Sequence, residues 1–353
     1  MKSLSEARSI FFSRFGPQSR TPAEEINTED ALGRVTAEPV FSKFSAPSYH
    51  SAAMDGIAVR AEETYGTSEK HPRVLTLGKD AIWINTGQPL AKGFDSVIMV
   101  EKLHQVDDSS FEIRHSTYPW QHVRKVGEDI VATQLLLPQN HVIRPYDLGA
   151  LISAGIFRVS VWQKPKVVII PTGSELVHHH GLMQERRTLK EGQIIEYNSL
   201  VLAGLVRECG GVAITYDIIP DSESELRPML QRAIESDAHV IMVNAGSSAG
   251  SRDYTVHMIR EMGEVLVHGV AMMPGKPTIL GVIAGKPVIG NPGYPVSSTL
   301  SFDQFVRPLL FCLQGRSPER RKRLKVQPTR NIPSKPGIEE FLRVNIGKVG
   351  DHH

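Results

Sequence analysis

Cysteine is scarce in this chain, with two among 353 residues, and aromatic side chains make up only 7%. Cys209 and Cys312 are too few, and too apolar in context, for a disulfide framework, which fits a reducing cytoplasm. No apolar run approaches the ~18 residues that a membrane span needs, so no membrane contact is expected. Excess charge of either sign is missing as well. Lys and Arg number 40 against 38 Asp and Glu, a net charge of +2, which argues against a strongly electrostatic partner such as a nucleic acid duplex. The one basic run, Arg316–Lys325, follows a helical pattern and precedes a proline-rich stretch, so it reads as a solvated linker. Met1–Arg8 reads as a capped helix start and not as a signal peptide. A hydrophobic content of 41% with 22% charged residues is ordinary for a globular protein. The length is large for a single core and suggests two or three domains.

What the chain does have is a set of strand-like runs, each ending in a polar, Gly/Pro-rich turn. Lys166–Pro171 meets Thr172-Gly173-Ser174-Glu175, and Val212–Pro220 runs into Asp221-Ser222-Glu223-Ser224. His239–Asn244 meets Ala245-Gly246-Ser247-Ser248-Ala249-Gly250, with Arg252 and Asp253 just after. Val265–Met273 stops at Pro274-Gly275-Lys276-Pro277, and Pro287–Ile289 at Gly290-Asn291-Pro292-Gly293-Tyr294-Pro295. Helical patterns at Asn198–Cys209 and Ser224–Ser236 separate the first three runs, and an apolar-periodic segment, Val296–Leu313, follows the last turn. Near-continuous β-branched runs separated by helices predict a mostly parallel sheet buried on both faces. Ligands of such sheets bind outside the carboxyl ends of the strands. Turns that expose N–H groups at a helix start attract anions there. A phosphate-bearing ligand at this edge is the first expectation.

The rest divides by character. Ser5–Phe15 is an amphipathic helix and Glu25–Leu32 a second short helical candidate. From residue 46 to 143 short alternating runs take over: Gly56–Arg60, Val74–Leu77, Ile82–Thr86, Ser96–Glu101, Phe111–Arg114 and Ile130–Thr133. They predict a small inserted β domain. Asp147–Ile156 returns to helix and Arg158–Trp162 to strand. The resulting division is a helical and linker domain (1–45 and 144–164), the β domain (46–143), an α/β domain (165–315), and a linker with an incomplete C-terminal β domain (316–353). In that last piece Lys325–Gln327 and Phe341–Gly347 look like strands. Two strands alone make no stable sheet, so the piece either leans on a neighbour or begins a further domain.

Several acidic turns exceed what folding needs. Asp55 in Ser51–Gly56, Thr86-Gly87-Gln88-Pro89 with Glu101, and Gly127-Glu128-Asp129-Ile130 each pass singly as turn chemistry. Together they offer oxygen ligands for Mg²⁺, which binds through one or two carboxylates plus substrate phosphates. Glu175, Asp221 and Asp253 each follow a strand end. Any one is explained by capping, whereas three along one edge facing anion-binding turns point to a metal with phosphates. The Gly246–Gly250 loop is a candidate phosphate nest, although it lacks the Lys-Ser/Thr ending of a P-loop. Lys276 would act as a point charge on an oxyanion. His178-His179-His180 reads as an exposed loop, since consecutive histidines cannot share one face.

Taken in order, these turns resemble the molybdopterin molybdenumtransferase family, which includes the E-domain of gephyrin. The family pattern runs S-A-M-D-G-Y-A, T-G-A-P-x-P, G-E-D-I, S-T-G-D-E-L, G-G-V-S-V-G-x-x-D-Y, K-P-G-K-P and G-L-P-G-N-P-V-S. The matching segments here are Ala52–Ala58, Thr86–Leu90, Gly127–Ile130, Pro171–Leu176, Ala245–Tyr254, Met273–Pro277 and Gly290–Ser297. The resemblance implies insertion of molybdenum from molybdate into adenylylated molybdopterin, with Mg²⁺ and release of AMP. It implies a homodimer whose active site joins the α/β domain of one subunit to the β domain of the other, and a molybdopterin-binding-like α/β domain. It also implies site roles. Asp55, Asp129, Glu175, Asp253 and Lys276 would be catalytic, with Asp55, Glu175 and Asp253 on the metal. Thr86, Asp221, Gly246, Ser247, Ser248 and Gly250 would hold the pterin and its phosphates, while Pro292, Pro295, Ser297 and Arg343 line the molybdate side.

Four departures stand out. Met273 replaces the first lysine of K-P-G-K-P, Ala245–Gly250 replaces Gly-Gly-Val-Ser-Val-Gly, and Tyr294 replaces the asparagine of P-G-N-P. Gly337–Val344 resembles the opening of the family's last β-barrel domain, placing Arg343 at its molybdate-contacting arginine, and the rest of that barrel is absent from this sequence. The first three resemble a bacterial branch in which the unit is fused to a periplasmic-binding-protein-like domain. Three other readings stay open: a non-catalytic molybdopterin or molybdate sensor, a pterin-adenylylating nucleotidyltransferase, and a scaffold in the manner of gephyrin. The inserted β domain speaks against the nucleotidyltransferase.

Overall fold

The structure, a computed structural model, describes residues 1–180, 188–245, 254–317 and 324–347. Its largest sheet has six strands: β1 (Lys166–Pro171), β2 (Val212–Thr215), β3 (Val240–Ala245), β4 (Glu264–His268), β5 (Ile279–Ile283) and β6 (Lys286–Pro292), in the order β2-β1-β3-β6-β5-β4. β2, β1, β3 and β6 run parallel, β5 is antiparallel to β6, and β4 is antiparallel to β5. β4 therefore points the same way as the parallel four. The four described turns singled out in the sequence consequently open on one edge, while that at 246–250 lies outside the described residues.

Alternation along the strands sorts the core into two faces. Val167, Ile169, Val240, Met242, Leu280 and Ile289 pack against helices α1 (Leu4–Arg14), α2 (Asn198–Glu208) and the C-terminal rod. Val168, Ile170, Ile241, Val243 and Val288 pack with α3 (Glu223–Glu235) and α4 (Tyr254–Met262). Residues 167–170 and 240–243 are fully buried, as strands covered on both faces must be. Ser3 starts α1 with a capping box shared with Glu6, and Phe11 of α1 meets Phe305 edge-on. The N-terminal helix thus belongs to the α/β core. The segment predicted as one helix over Val296–Leu313 is α5 (Pro295–Ser301), a π-helical turn (Phe302–Val306) and α6 (Arg307–Leu313). The wider turn precedes Pro308, which cannot donate into a regular helix.

Residues predicted as a helix at Glu25–Leu32 form instead a strand, Ala23–Asn27, antiparallel to Arg158–Trp162, and a single tight turn at Thr28–Asp30. Its burial alternates with period two, so cross-strand pairing overrode the local helical pattern. The strand run at Val212–Pro220 stops at Thr215. That at Val265–Met273 breaks after His268, where Gly269 turns the chain at φ +80°. Met272–Met273 then pairs in parallel with Glu339–Glu340. Neither Lys325–Gln327 nor Phe341–Gly347 is a strand, and Ile130–Thr133 makes only a bridge from Ile130 to Ala46. The C-terminal piece therefore leans on the α/β domain through the short Glu339–Glu340 pairing and through Phe341, which packs against the core.

The inserted domain contains two three-stranded sheets. Gly56–Val59 lies between Ala81–Ile84 and Ser96–Met99, and Ser110–Ile113 between Arg73–Thr76 and His104–Gln105. Leu137 and Ile143 pack with Ala31, Val40, Leu151 and Val161, in the core of the unit that precedes the α/β domain. That unit is locked by Asp147, whose carboxylate accepts from the Arg144 backbone N–H (2.8 Å), the Arg144 guanidinium (3.0 Å) and His141 Nε2 (2.6 Å). Chiefly the Arg144 hydrogen bond, then His141, holds this carboxyl well below the usual range against the opposing effect of burial. A depressed folded-state pKa stabilises above the unfolded value of about 3.9 and loses that contribution as pH falls below it. Asp147→Ala is expected to cost about 1–3 kcal/mol at pH 7, since it removes a buried acceptor from the Arg144 N–H and from the part-buried His141, while Arg144 itself is largely exposed. The difference from wild type should shrink below about pH 4, which urea unfolding across pH checks.

Candidate active site

At the carboxyl ends of β1, β3 and β6 lies a cleft of about 290 Å³, bounded by Thr172, Glu175, Tyr197, Asn244, Tyr294 and Pro295 among others. Its construction follows from the strand ends. The Thr172 N–H donates to the Asn244 carbonyl (2.9 Å) and the Gly173 N–H to that of Ile219 (3.0 Å), carrying the β1 register into the turn that presents Glu175. Asn198 Nδ2 donates to the Gly293 carbonyl (2.6 Å), tying the start of α2 to the turn after β6. The Ser298 N–H closes the first turn of α5 on the Tyr294 carbonyl (2.8 Å). The Val296 and Ser297 N–H groups precede that bond, at the positive end of the rod, where a helix start leaves its donors without intrahelical partners. Tyr294 is 70% exposed at the mouth. Pro292 is buried at the end of β6, and Ser297 is half-buried on α5.

Lys276 sits on the loop between β4 and β5 at the same edge, with an exposed side chain. The Val270 N–H accepts its place in that loop by donating to the Lys276 carbonyl (2.9 Å), and Thr278 Oγ1 donates to the Gly275 carbonyl (2.8 Å). Gly275 has φ +113°, and a Cβ there would lie 2.6 Å from Met272 Cε, so this loop needs glycine. The Phe341 N–H donates to the Met273 carbonyl (2.8 Å), which brings Arg343 alongside. Arg343 borders a second hollow of about 620 Å³ with Pro295, Val296, Thr299 and Phe341, so the two hollows share Pro295. Asp221 is exposed beside Ser222, and Ser222 caps α3 by accepting from the Glu225 N–H.

Asp55 and Thr86 meet on the inserted domain. The Thr86 N–H donates to Asp55 Oδ1 (2.6 Å), and this bond, then the Thr86 side chain, lowers the Asp55 pKa and keeps the exposed carboxylate charged. The turn is rigid. The Val100 N–H donates to the Asp55 carbonyl, and a Cβ on Gly56 would lie 1.9 Å from the Ile98 carbonyl oxygen. Asp129 is gripped by Arg124 through both carboxylate oxygens (2.6 and 2.7 Å). The hydrogen bonds described for 46–130 stay within this domain and the adjoining unit. Among the described residues, then, no hydrogen bond joins Asp55, Thr86 or Asp129 to Glu175, Asp221 or Lys276.

Among the described residues no three His, Cys, Asp or Glu side chains are grouped to hold a metal ion. Asp55 and Glu175 do not form a cage. The arrangement fits an ion of the Mg²⁺ type that takes one carboxylate and completes its shell from phosphates and water. Asp253, Gly246, Ser247, Ser248 and Gly250 lie outside the described residues. His178, His179 and His180 are exposed, as expected. Burial pushes the Cys209 thiol up to about 11, so this side chain offers no thiolate at neutral pH.

Sequence reasoning passed over Asn244 and Asn291. They are register partners on β3 and β6, 3% and 2% exposed, and the Oδ1 of each is buried without a hydrogen-bond partner among the described residues. The available signal was a polar residue closing an otherwise apolar buried run, Ile-Met-Val-Asn and Val-Ile-Gly-Asn.

Two family models match the chain: "MoeA N-terminal region (domain I and II)" over residues 2–155 and "Probable molybdopterin binding domain" over 168–311. A molybdopterin biosynthesis protein of Methanocaldococcus jannaschii is 34% identical over 355 residues, covering 97% of this chain and 86% of that relative. A molybdopterin molybdenumtransferase of Haemophilus influenzae is 30% identical over 330 residues, covering 89% and 78%. The crystal structure of a molybdopterin biosynthesis MoeA protein from Pyrococcus horikoshii superposes with a TM-score of 0.77 at 35% identity, over 90% of this chain and 81% of the other.

Proposed function

The chain belongs to the molybdopterin molybdenumtransferase family, and we propose that it inserts molybdenum from molybdate into adenylylated molybdopterin, releasing AMP. The observation that carries this reading is the single edge on which the strand-end turns, Lys276 and the start of α5 converge. Molybdate is a dianion and the pterin ligand carries phosphates, so the site must gather and neutralise anions. Exposed N–H groups at Val296 and Ser297, the Lys276 ammonium and, on the same side, Arg343 supply that field, with Pro292, Pro295 and Ser297 shaping the molybdate side. Gly246, Ser247, Ser248 and Gly250 would hold pterin phosphates, with Asp221 and Thr86 at the ligand's rim.

Asp55 would hold Mg²⁺ together with ligand phosphates, and Asp253 would share it. When bound, the ion neutralises the phosphate that leaves as AMP. Asp129, fixed by Arg124, would orient the Asp55 turn. Because no hydrogen bond among the described residues joins the Asp55 turn to the Lys276 loop, the working site is proposed to form between two copies, in the cytoplasm. Sedimentation at micromolar concentration should then give a species of about twice the 39.1 kDa chain mass; a lone monomer that still turned over would contradict the shared site. The activity itself is tested by following AMP release from adenylylated molybdopterin with Mg²⁺, with and without molybdate. Molybdate-dependent AMP release supports the reading, and none would refute it. One observation favours a second reading: Met273, 37% exposed beside the Lys276 loop, puts a thioether where the family carries a cation. A sensor would bind the pterin without AMP release.

A further inference from the structure

We propose that Asn244 and Glu175 read the amino-lactam edge of the pterin ring, with the bicyclic ring itself seated in the cleft at the ends of β1, β3 and β6; this rests on the pterin reading above. The cleft holds about 290 Å³, at the small end of the roughly 300–1,000 Å³ typical of ligand pockets. That is room for a bicyclic ring and not for the whole adenylylated ligand. Its sides are apolar, from Leu176, Ile195, Tyr197 and Pro295, and suit the faces of a flat heterocycle. Its polar lining includes Asn244 and Glu175 beside Thr172, Glu196 and Asn198, of which Glu196 accepts from the Ser199 N–H and Asn198 donates to the Gly293 carbonyl.

The chemistry of Asn244 and Glu175 selects the ligand group. Asn244 is 3% exposed, yet it borders the cleft, and its Oδ1 is buried with no partner among the described residues. A buried acceptor left unpaired destabilises the fold, so the position is retained at a cost that a ligand donor offsets. Glu175 is half-buried, and no hydrogen-bond partner of its carboxylate is found among the described residues. Both groups accept. A phosphate or molybdate oxygen has no proton to give and would be repelled by the carboxylate, so the oxyanions belong at the α5 start and Lys276. The 2-amino-4-oxo edge of a pterin presents an amino group and a ring N–H side by side, which a carboxylate accepts as a pair. Its adjoining carbonyl meets an amide, which both donates and accepts. Turning the Asn244 amide over exchanges its two ends and leaves this match intact.

Asn291 supplies the control. It is the register partner of Asn244, carries the same kind of orphaned Oδ1 and donates through Nδ2 to Ser298, but does not border the cleft. The experiment titrates the whole chain with pterin (2-amino-4-oxopteridine), followed by its fluorescence, and with 2,4-dioxopteridine, which lacks the amino group. Wild type should prefer pterin. Asn244→Leu should weaken pterin at least tenfold with an unchanged or raised melting temperature, and Glu175→Gln should abolish the preference for the amino compound. Asn291→Leu should raise the melting temperature without moving pterin affinity. Wild-type pterin affinity in Asn244→Leu, or equal losses in Asn244→Leu and Asn291→Leu, would overturn the proposal, even if molybdate-dependent AMP release is intact. Failure of the wild type to bind either pterin or adenylylated molybdopterin would overturn the functional reading along with it.

Discussion

Asp55→Ala is expected to lower Mg²⁺-dependent AMP release by at least a hundredfold, on the order of what removing one preorganised electrostatic group from a polar active site costs. The fold should be untouched. Asp55 is on an exposed turn, Thr86 is the one residue described as hydrogen-bonding its carboxylate, and surface substitutions of this kind shift stability by about 0.5 kcal/mol or less. The conservative Asp55→Asn keeps an acceptor for Thr86 but removes the charge, so it should lose nearly as much activity. If Asp55→Asn turned over like wild type, the charge would be irrelevant and the carboxylate would be a turn residue only. Because Thr86 holds the Asp55 pKa below its ordinary value, the carboxylate stays charged throughout the neutral range. Activity should therefore fall on the acid side only below pH 4 on account of this group. Mixing Asp55→Ala with Lys276→Ala should restore part of the activity, since one of the two sites in a mixed dimer would be intact.

Lys276→Ala is expected to be equally severe, and Met273→Lys to act in the opposite direction. Lys276 is the exposed cation on the β4–β5 loop, whose backbone is fixed by bonds from Val270 and Thr278. Met273 lies three residues earlier on the strand that meets Glu339–Glu340. A charge-assisted hydrogen bond to an oxyanion contributes about 1.5–3 kcal/mol, or roughly ten- to a hundredfold in affinity. Adding a cation at 273 should tighten molybdate binding by up to that factor, read by calorimetry, while Lys276→Ala should remove measurable binding. No gain in Met273→Lys would mean that another cation already fills the role, with Arg343, two residues past the Phe341 that bonds Met273, a candidate.

Much of this was legible in the sequence, for identifiable reasons. Strands buried on both faces announce themselves as unbroken apolar runs, so β1 and β3 were readable to within a residue, while β6 runs three residues past the expected end at Ile289. Direction followed from the helices between them, and with it the edge that carries Glu175, Lys276 and the α5 start. Half-exposed elements were harder. Ala23–Asn27 has helix-forming residues and becomes a strand only because Arg158–Trp162 pairs with it across 130 residues of chain. Glu339–Glu340 is a strand only because Met272–Met273 is free to receive it. Asp55 and Thr86 were singled out as separate turns, and their 2.6 Å bond is a tertiary fact. Asn244 and Asn291 were overlooked because asparagine near a strand end is common turn chemistry. Only burial shows that their amide oxygens lack a partner among the described residues.

The central claim is that this chain exchanges adenylate for molybdenum on one pterin. Its most direct test counts both products in a single reaction: AMP by chromatography and pterin-bound molybdenum by mass spectrometry, from adenylylated molybdopterin, molybdate and Mg²⁺. The account predicts one molybdenum incorporated per AMP released, with both falling together in Lys276→Ala. Pterin bound tightly with neither product formed would contradict it and identify a sensor, and AMP released without incorporated molybdenum would reduce the chain to a hydrolase.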